Sequence, residues 1–291
     1  MTDNSVVVAK HEDGSSITVH LQGAHITSWR NSAGEELLYT SPKAVYKEGV
    51  PIRGGVPLIF PQFSDSGPLP SHGFARVRRW RMCEAQNGMA SFALDVDVRD
   101  MSPSGADAKA EGSTTSASAG VVSLLYTITF NNDQLHLQMK VVNKSSASDV
   151  EFTFAFHSYF AVDDVKKTLV NGVNMTPFID TLSNDRKVRP AEPFWGFVGE
   201  VDRVYLNQRC AVMLLDTSKN RTTHISGLNL PDVVLWNPWV EKTKKMKDLP
   251  PDGYKKFVCV EHGAIGKKVK VPPSGEWQGS QNILRFSCLK L

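Results

Sequence analysis

From Val122 the chain alternates in character. Leu124, Tyr126, Ile128 and Phe130 are apolar, with Ser123, Thr127 and Thr129 between them. Leu135, Leu137, Met139 and Val141 alternate with His136, Gln138 and Lys140. Phe152, Phe154 and Phe156 alternate with Thr153, Ala155 and His157. A period of two sends successive side chains to opposite faces of an extended backbone, so these segments are half-buried strands. Ser16–Trp29, Phe92–Val98, Val201–Leu206, Ala211–Asp216 and Phe257–Glu261 are further strand candidates. Turn-forming runs such as Asn131-Asn132-Asp133 and Asn143-Lys144-Ser145 separate strands at hairpin distances. Long amphipathic helical stretches are scarce. The expectation is an all-β chain, a large and mostly antiparallel sandwich or barrel.

The chain has 291 residues, 41% of them hydrophobic, enough for a sizeable core. The stretch Ser102–Gly120 is rich in Ser, Ala, Gly and Thr and has little apolar surface to bury. It reads as a flexible insertion between two strands. The strand pattern resumes directly after it, so a single domain over residues 1–291 is expected.

Thirty-three basic residues against 30 acidic ones leave a net charge of +3. That balance argues against a nucleic-acid partner, which usually demands a basic stripe. The lysine-rich stretch from Lys242 to Lys256 is interrupted by Asp248, Pro250, Pro251 and Asp252 and reads as a solvated loop. Cys83, Cys210, Cys259 and Cys288 are scattered, with no metal-ligand or redox spacing. No apolar run is long enough to span a membrane, and the N-terminus lacks a secretory pattern. A reduced, cytoplasmic monomer is expected. The final Leu289-Lys290-Leu291 half resembles a peroxisomal address, with Leu where a small residue belongs.

The densest chemistry lies in Arg53-Gly54-Gly55-Val56-Pro57-Leu58-Ile59-Phe60-Pro61-Gln62-Phe63 and in Ser71-His72-Gly73-Phe74-Ala75-Arg76. Glycines and prolines give a non-repetitive path; arginines, Gln62 and His72 supply polar heads beside flat phenylalanines. A site for a polar ring needs that mixture. Paired arginines also grip phosphates or carboxylates. A structural loop with surface arginines is the plain alternative. His157 sits on a strand face with Ala155 and Tyr159, which suits a proton donor or, equally, a buried structural histidine. Glu261 ends an apolar strand, as a general base or as a solvated strand end. His262 should face the other side. Asp202 could accept two sugar hydroxyls, and Trp236-Asn237-Pro238-Trp239 offers an aromatic platform and an amide. Phosphate-loop, dinucleotide and nucleophile-elbow motifs are absent, and no His/Cys/Asp group has metal spacing. Asp202 with Glu261 as a glycosidase pair stays open at this point.

Taken in order, these pieces resemble the aldose 1-epimerase superfamily, and within it the glucose-6-phosphate 1-epimerase branch. The resemblance spans nearly the whole chain and is most specific in the Arg-Gly-Gly-Val-Pro, Phe-Pro-Gln-Phe and His-Gly-Phe-Ala-Arg combination. It implies a galactose mutarotase-like β-sandwich with a concave sugar site, no metal and no cofactor. It implies His157 as catalytic acid and Glu261 as catalytic base. Arg53 and Arg76 would contact the phosphate of a hexose 6-phosphate, with Gln62, His72 and Asp202 as further substrate contacts. Two alternatives are a mutarotase of unphosphorylated aldoses and a non-catalytic carbohydrate-binding sandwich.

Overall fold

The computed structural model describes residues 5–101, 120–173, 176–188, 194–208 and 210–287. The stretch expected to be an inserted loop lies almost wholly outside these residues, as do Cys288 and the C-terminal tripeptide. Among the described residues no helix is long and apolar enough to cross a membrane.

The fold is an antiparallel β-sandwich. A nine-stranded sheet runs Trp195–Gly196, Thr168–Asn171, Val212–Asp216, Arg221–Leu228, Glu276–Ser287, Gln134–Asn143, Val121–Phe130, Met89–Asp97 and Arg81–Gln86. A seven-stranded sheet runs Asp185–Val188, Pro177–Asp180, Val201–Tyr205, Asp232–Asn237, Phe257–Val271, Val150–Ala161 and Leu58–Ile59. A small third sheet holds Val6–Lys10, Ser16–His20 and His25–Arg30. The single strand expected over Ser16–Trp29 is therefore two strands around a turn, where Gly23 and Ala24 both take positive φ.

The alternating phenylalanines show how the layers form. Phe152, Phe154 and Phe156 point from one face of the seven-stranded sheet into a buried cluster shared with Tyr126, Leu137 and Met139 of the nine-stranded sheet. Tyr126 packs on Phe156 with ring centroids 5.9 Å apart, and Trp277 meets Phe152 and Phe154 at 5.4 and 5.6 Å. Each such side chain contributes about 1.5–3 kcal/mol by leaving water. Ser158 Oγ donates to Gln281 Oε1 across the layers at 2.6 Å, and Gln281 Nε2 donates to His262 Nδ1 at 3.1 Å.

The opposite face of the same sheet is also covered. Tyr159, Val204, Val234, Trp236, Leu249, Phe257 and Cys259 form a second apolar cluster there. Two covered faces remove the need for polar alternation, so Asp232–Asn237 is buried at all six positions. The second face carries the site.

Candidate active site

Strand pairing builds the centre. In the antiparallel register of Val150–Ala161 with Phe257–Val271, His157 stands directly opposite Glu261. Their side chains leave the same face, and His157 Nδ1 lies 3.0 Å from Glu261 Oε1. The two groups are close without being aligned as a hydrogen bond. His157 Nδ1 and Glu261 Oε2 are buried with no hydrogen-bond partner among the described residues. His157 is 7% exposed and Glu261 2%. His157, Glu261, Arg53, His72 and Asp202 all line one cavity of about 430 Å³.

Burial sets the protonation of the pair. Loss of water pushes Glu261 well above the ordinary carboxylate range, with the nearby Asp202 charge adding to the rise. Loss of water pushes His157 well below the ordinary imidazole range, and His72, Arg53 and Arg76 push the same way. Both directions favour a neutral imidazole beside a protonated carboxyl. The sequence reading had started from imidazolium and carboxylate; in the protein by itself the shared proton is favoured on Glu261. Perturbed pairs of this kind concentrate at functional sites.

The Arg53–Phe63 stretch reaches the pair by running alongside the His157 strand. Tyr159 N donates to Gly55 O at 2.9 Å, His157 N to Pro57 O at 3.0 Å and Thr153 N to Pro61 O at 2.9 Å. Gly55 has φ +60°, and a Cβ there would run into Ile26 O, so the close approach requires glycine. Arg53 is held by Asp248, Nε to Oδ2 at 3.1 Å, and donates from Nη1 to Tyr159 OH at 3.1 Å. Tyr159 stacks on His157 with centroids 4.8 Å apart and planes 17° apart. One residue thus couples the cationic rim to the central imidazole.

His72 packs 5.7 Å from His157 and edge-on to Phe63 at 5.4 Å. Burial and the Arg76 charge pull His72 down to about 4, so it is neutral at physiological pH. Asp202 sits on the far wall, where burial raises it against the lowering effect of Lys242. Trp236 stands edge-on to both His157 and Tyr159, at 5.9 and 6.0 Å.

Two expected contacts are placed differently. Gln62 does not line the cavity. Its Nε2 donates to Ser64 O and Leu69 O, and its Oε1 accepts from Leu69 N. Its amide closes the 62–72 loop, and is committed there rather than to a substrate. Arg76 stands behind the wall, donating from Nη2 to Ser71 O at 2.7 Å. Its charge still acts on His72, His157 and Glu261. Asn237 is likewise structural: its Nδ2 donates to Tyr254 O and Phe257 O.

Residues 5–284 match the family model for aldose 1-epimerase. The chain belongs to the aldose 1-epimerase family. It is 33% identical over 267 residues to a Cenchrus ciliaris protein named "Putative glucose-6-phosphate 1-epimerase", covering 90% of this chain and 78% of that one. An Escherichia coli K12 protein of the same name is 31% identical over 253 residues, with 86% and 80% covered. Among solved structures, one from Salmonella typhimurium described as a "putative mutarotase" superposes with a TM-score of 0.81. It shares 29% identity and covers 97% of this chain and 90% of that one.

Three residues in or beside the candidate site escaped the sequence reading. Lys242 is not in a solvated loop but on the helix Trp239–Lys244, lining the cavity 3.1 Å from Glu200 and 3.6 Å from Asp202. Tyr159 was placed on the right face without a role. Cys259 lies two positions before Glu261, on the same face, and its sulfur is within 4.8 Å of ligand atoms of His157 and Glu261. The i, i+2 spacing was the available signal for Cys259; the third member sits on another strand, about a hundred positions away.

Proposed function

We propose that the protein interconverts the α and β anomers of a hexose 6-phosphate, with glucose 6-phosphate as the leading substrate. The observation that carries this is the directly opposed His157–Glu261 pair, buried and without hydrogen-bond partners for Nδ1 and Oε2, facing a cavity of sugar dimensions.

Ring opening removes a proton from the C1 hydroxyl and delivers one to the ring oxygen. The C1–O5 bond breaks and the C1–O1 bond becomes a carbonyl. Glu261 would accept the first proton and His157 would donate the second, so the pair ends as protonated carboxyl and neutral imidazole. That end state is the one burial favours. Rotation about C1–C2 presents the other carbonyl face, and reclosure returns both protons. The pair carries one proton throughout, so no outside acid is consumed. A phosphate near Arg53 and Arg76 would offset two of the charges that hold His157 neutral, easing formation of the imidazolium at the start of each turnover. Asp202, Trp236 and His72 would position the ring while C1 turns.

The names of the relatives favour the phosphorylated substrate, and Arg53 and Lys242 on the cavity wall are suited to it. Anomer exchange followed by NMR on glucose 6-phosphate and on glucose distinguishes the two aldoses. Arg53→Gln should weaken turnover of glucose 6-phosphate roughly 10-fold or more, the scale of one charged hydrogen bond. Arg76→Gln should weaken it less, through its charge alone, and both should leave glucose turnover unchanged. Equal losses on both sugars would assign the arginines to structure and favour unphosphorylated aldoses.

A further inference from the structure

Three side chains of a kind that metal ions bind meet at the cavity: His157 and Glu261 line it, and Cys259 lies fully buried beside them. His157, Cys259 and Glu261 each present one ligand atom, all within 4.8 Å of one another, and all three residues are buried. Cys259 and Glu261 are two apart on one strand; His157 comes from its neighbour, where the pairing sets Glu261 against His157 and Cys259 against Tyr159. His157 Nδ1 and Glu261 Oε2 lack hydrogen-bond partners among the described residues, so coordination would break no existing hydrogen bond there. Around tetrahedral zinc, ligand atoms stand roughly 3.3–3.6 Å apart. A movement of about an ångström at the side-chain ends would close the present spacing to that.

We propose that His157, Cys259 and Glu261 form an inhibitory binding site for a zinc ion. The ligand set is one imidazole, one thiolate and one carboxylate, a combination that favours zinc over the hard cations magnesium and calcium. On binding, the Cys259 thiol and the Glu261 carboxyl each release a proton to solvent, and His157 binds as the neutral imidazole. The thiolate and the Glu261 carboxylate together balance the two positive charges of the ion. Three protein ligands leave the fourth position toward the cavity, which His157 and Glu261 line. The ion takes no part in the proposed reaction. It ties up both members of the acid/base pair and stops turnover, while Cys259, outside the reaction, sets the sensitivity.

Cobalt(II) substitution reads the site without reference to activity, because a bound thiolate gives a sulfur-to-cobalt charge-transfer band. The background should be the full chain with Cys83, Cys210 and Cys288 changed to Ser, leaving Cys259 as its single thiol. Cobalt titration should produce the band at one ion per chain, and zinc should abolish it. Cys259→Ser and Cys259→Ala, with native circular dichroism, should lose the band. In anomer exchange they should keep near-normal basal rates and require roughly 10–100-fold more zinc for half inhibition, at least the cost of disturbing an outer-shell partner. Absence of the band in the single-thiol background overturns the site, whatever the variants do. A band of equal intensity in Cys259→Ser or Cys259→Ala overturns it as well. If the band forms but no sugar exchanges, the zinc site stands and the proposed reaction falls.

Discussion

Glu261 concentrates the conflict between folding and chemistry. Its carboxyl is buried with one oxygen unpaired, and burial lifts it well above its ordinary value of 4.5. For an acid with a raised folded value, the folded chain holds its proton while the unfolded chain releases it. Stability is therefore lost as pH climbs above 4.5 toward the raised value, at roughly 1.4 kcal/mol per pH unit. Glu261→Gln keeps the shape and removes that cost. The variant should melt at a higher temperature than the parent at pH 7, while anomer exchange falls at least roughly 10²-fold. A lower melting temperature in a scanning calorimeter would mean that the carboxylate is stabilised in the fold. From the residues alone, His157 and Glu261 were legible only as candidates, each beside a structural alternative; the resemblance to the family implied their roles. Their protonation was not legible, since it depends on how many layers cover them.

At the level of elements, strands with one wet face were the plainest, although the Phe152–His157 and Phe257–Glu261 segments, covered on both faces, were anticipated too. Val121–Phe130 and Gln134–Asn143 alternate cleanly, and both were anticipated within two residues. Asp232–Asn237, covered on both sides, and Arg81–Gln86, exposed at every position on a sheet edge, show no such rhythm. The Arg53–Phe63 stretch was legible as a site element by its composition, yet not as a companion to the His157 strand. Its backbone bonds to that strand come from residues a hundred positions away. Gln62 looked like a substrate ligand because an amide in a polar loop often is one; here its three hydrogen bonds hold the loop that carries His72. Gln62→Ala should therefore raise KM for the sugar several-fold by loosening that loop, with kcat little changed and a stability loss of about 1–3 kcal/mol. A fall in kcat with KM constant would place Gln62 at the reacting sugar instead.

Taken as a whole, the sandwich buries several histidines in neutral form. Burial pulls His25 and His262 each down to about 3. His25 Nε2 is 2.7 Å from Gly54 O, consistent with a donated hydrogen bond, and His262 Nδ1 accepts from Gln281. An unfolded histidine titrates near 6.5, so below that pH the unfolded chain gains protons that the fold refuses. The stability these histidines contribute is fully present above about 6.5 and drains away as pH falls toward 3. Urea unfolding should show a net loss of at least about 1 kcal/mol per pH unit between pH 6 and 5, the opposing contribution of Glu261 included. His262→Gln should flatten that slope. A midpoint unchanged across this interval would mean that the buried rings take up protons within the fold.

The sheet register makes a stronger demand than any single side chain. It sets one imidazole and one carboxyl face to face, and two groups acting as the one acid/base pair proposed above would not lose their contributions independently. Anomer exchange of glucose 6-phosphate should be measured for His157→Asn, Glu261→Gln and the double variant against the parent. Each single change should cost at least roughly 10²-fold, and the double variant should be no slower than the slower single. Losses that multiply, or either single variant exchanging near the parent rate, would show that His157 and Glu261 do not work as one unit.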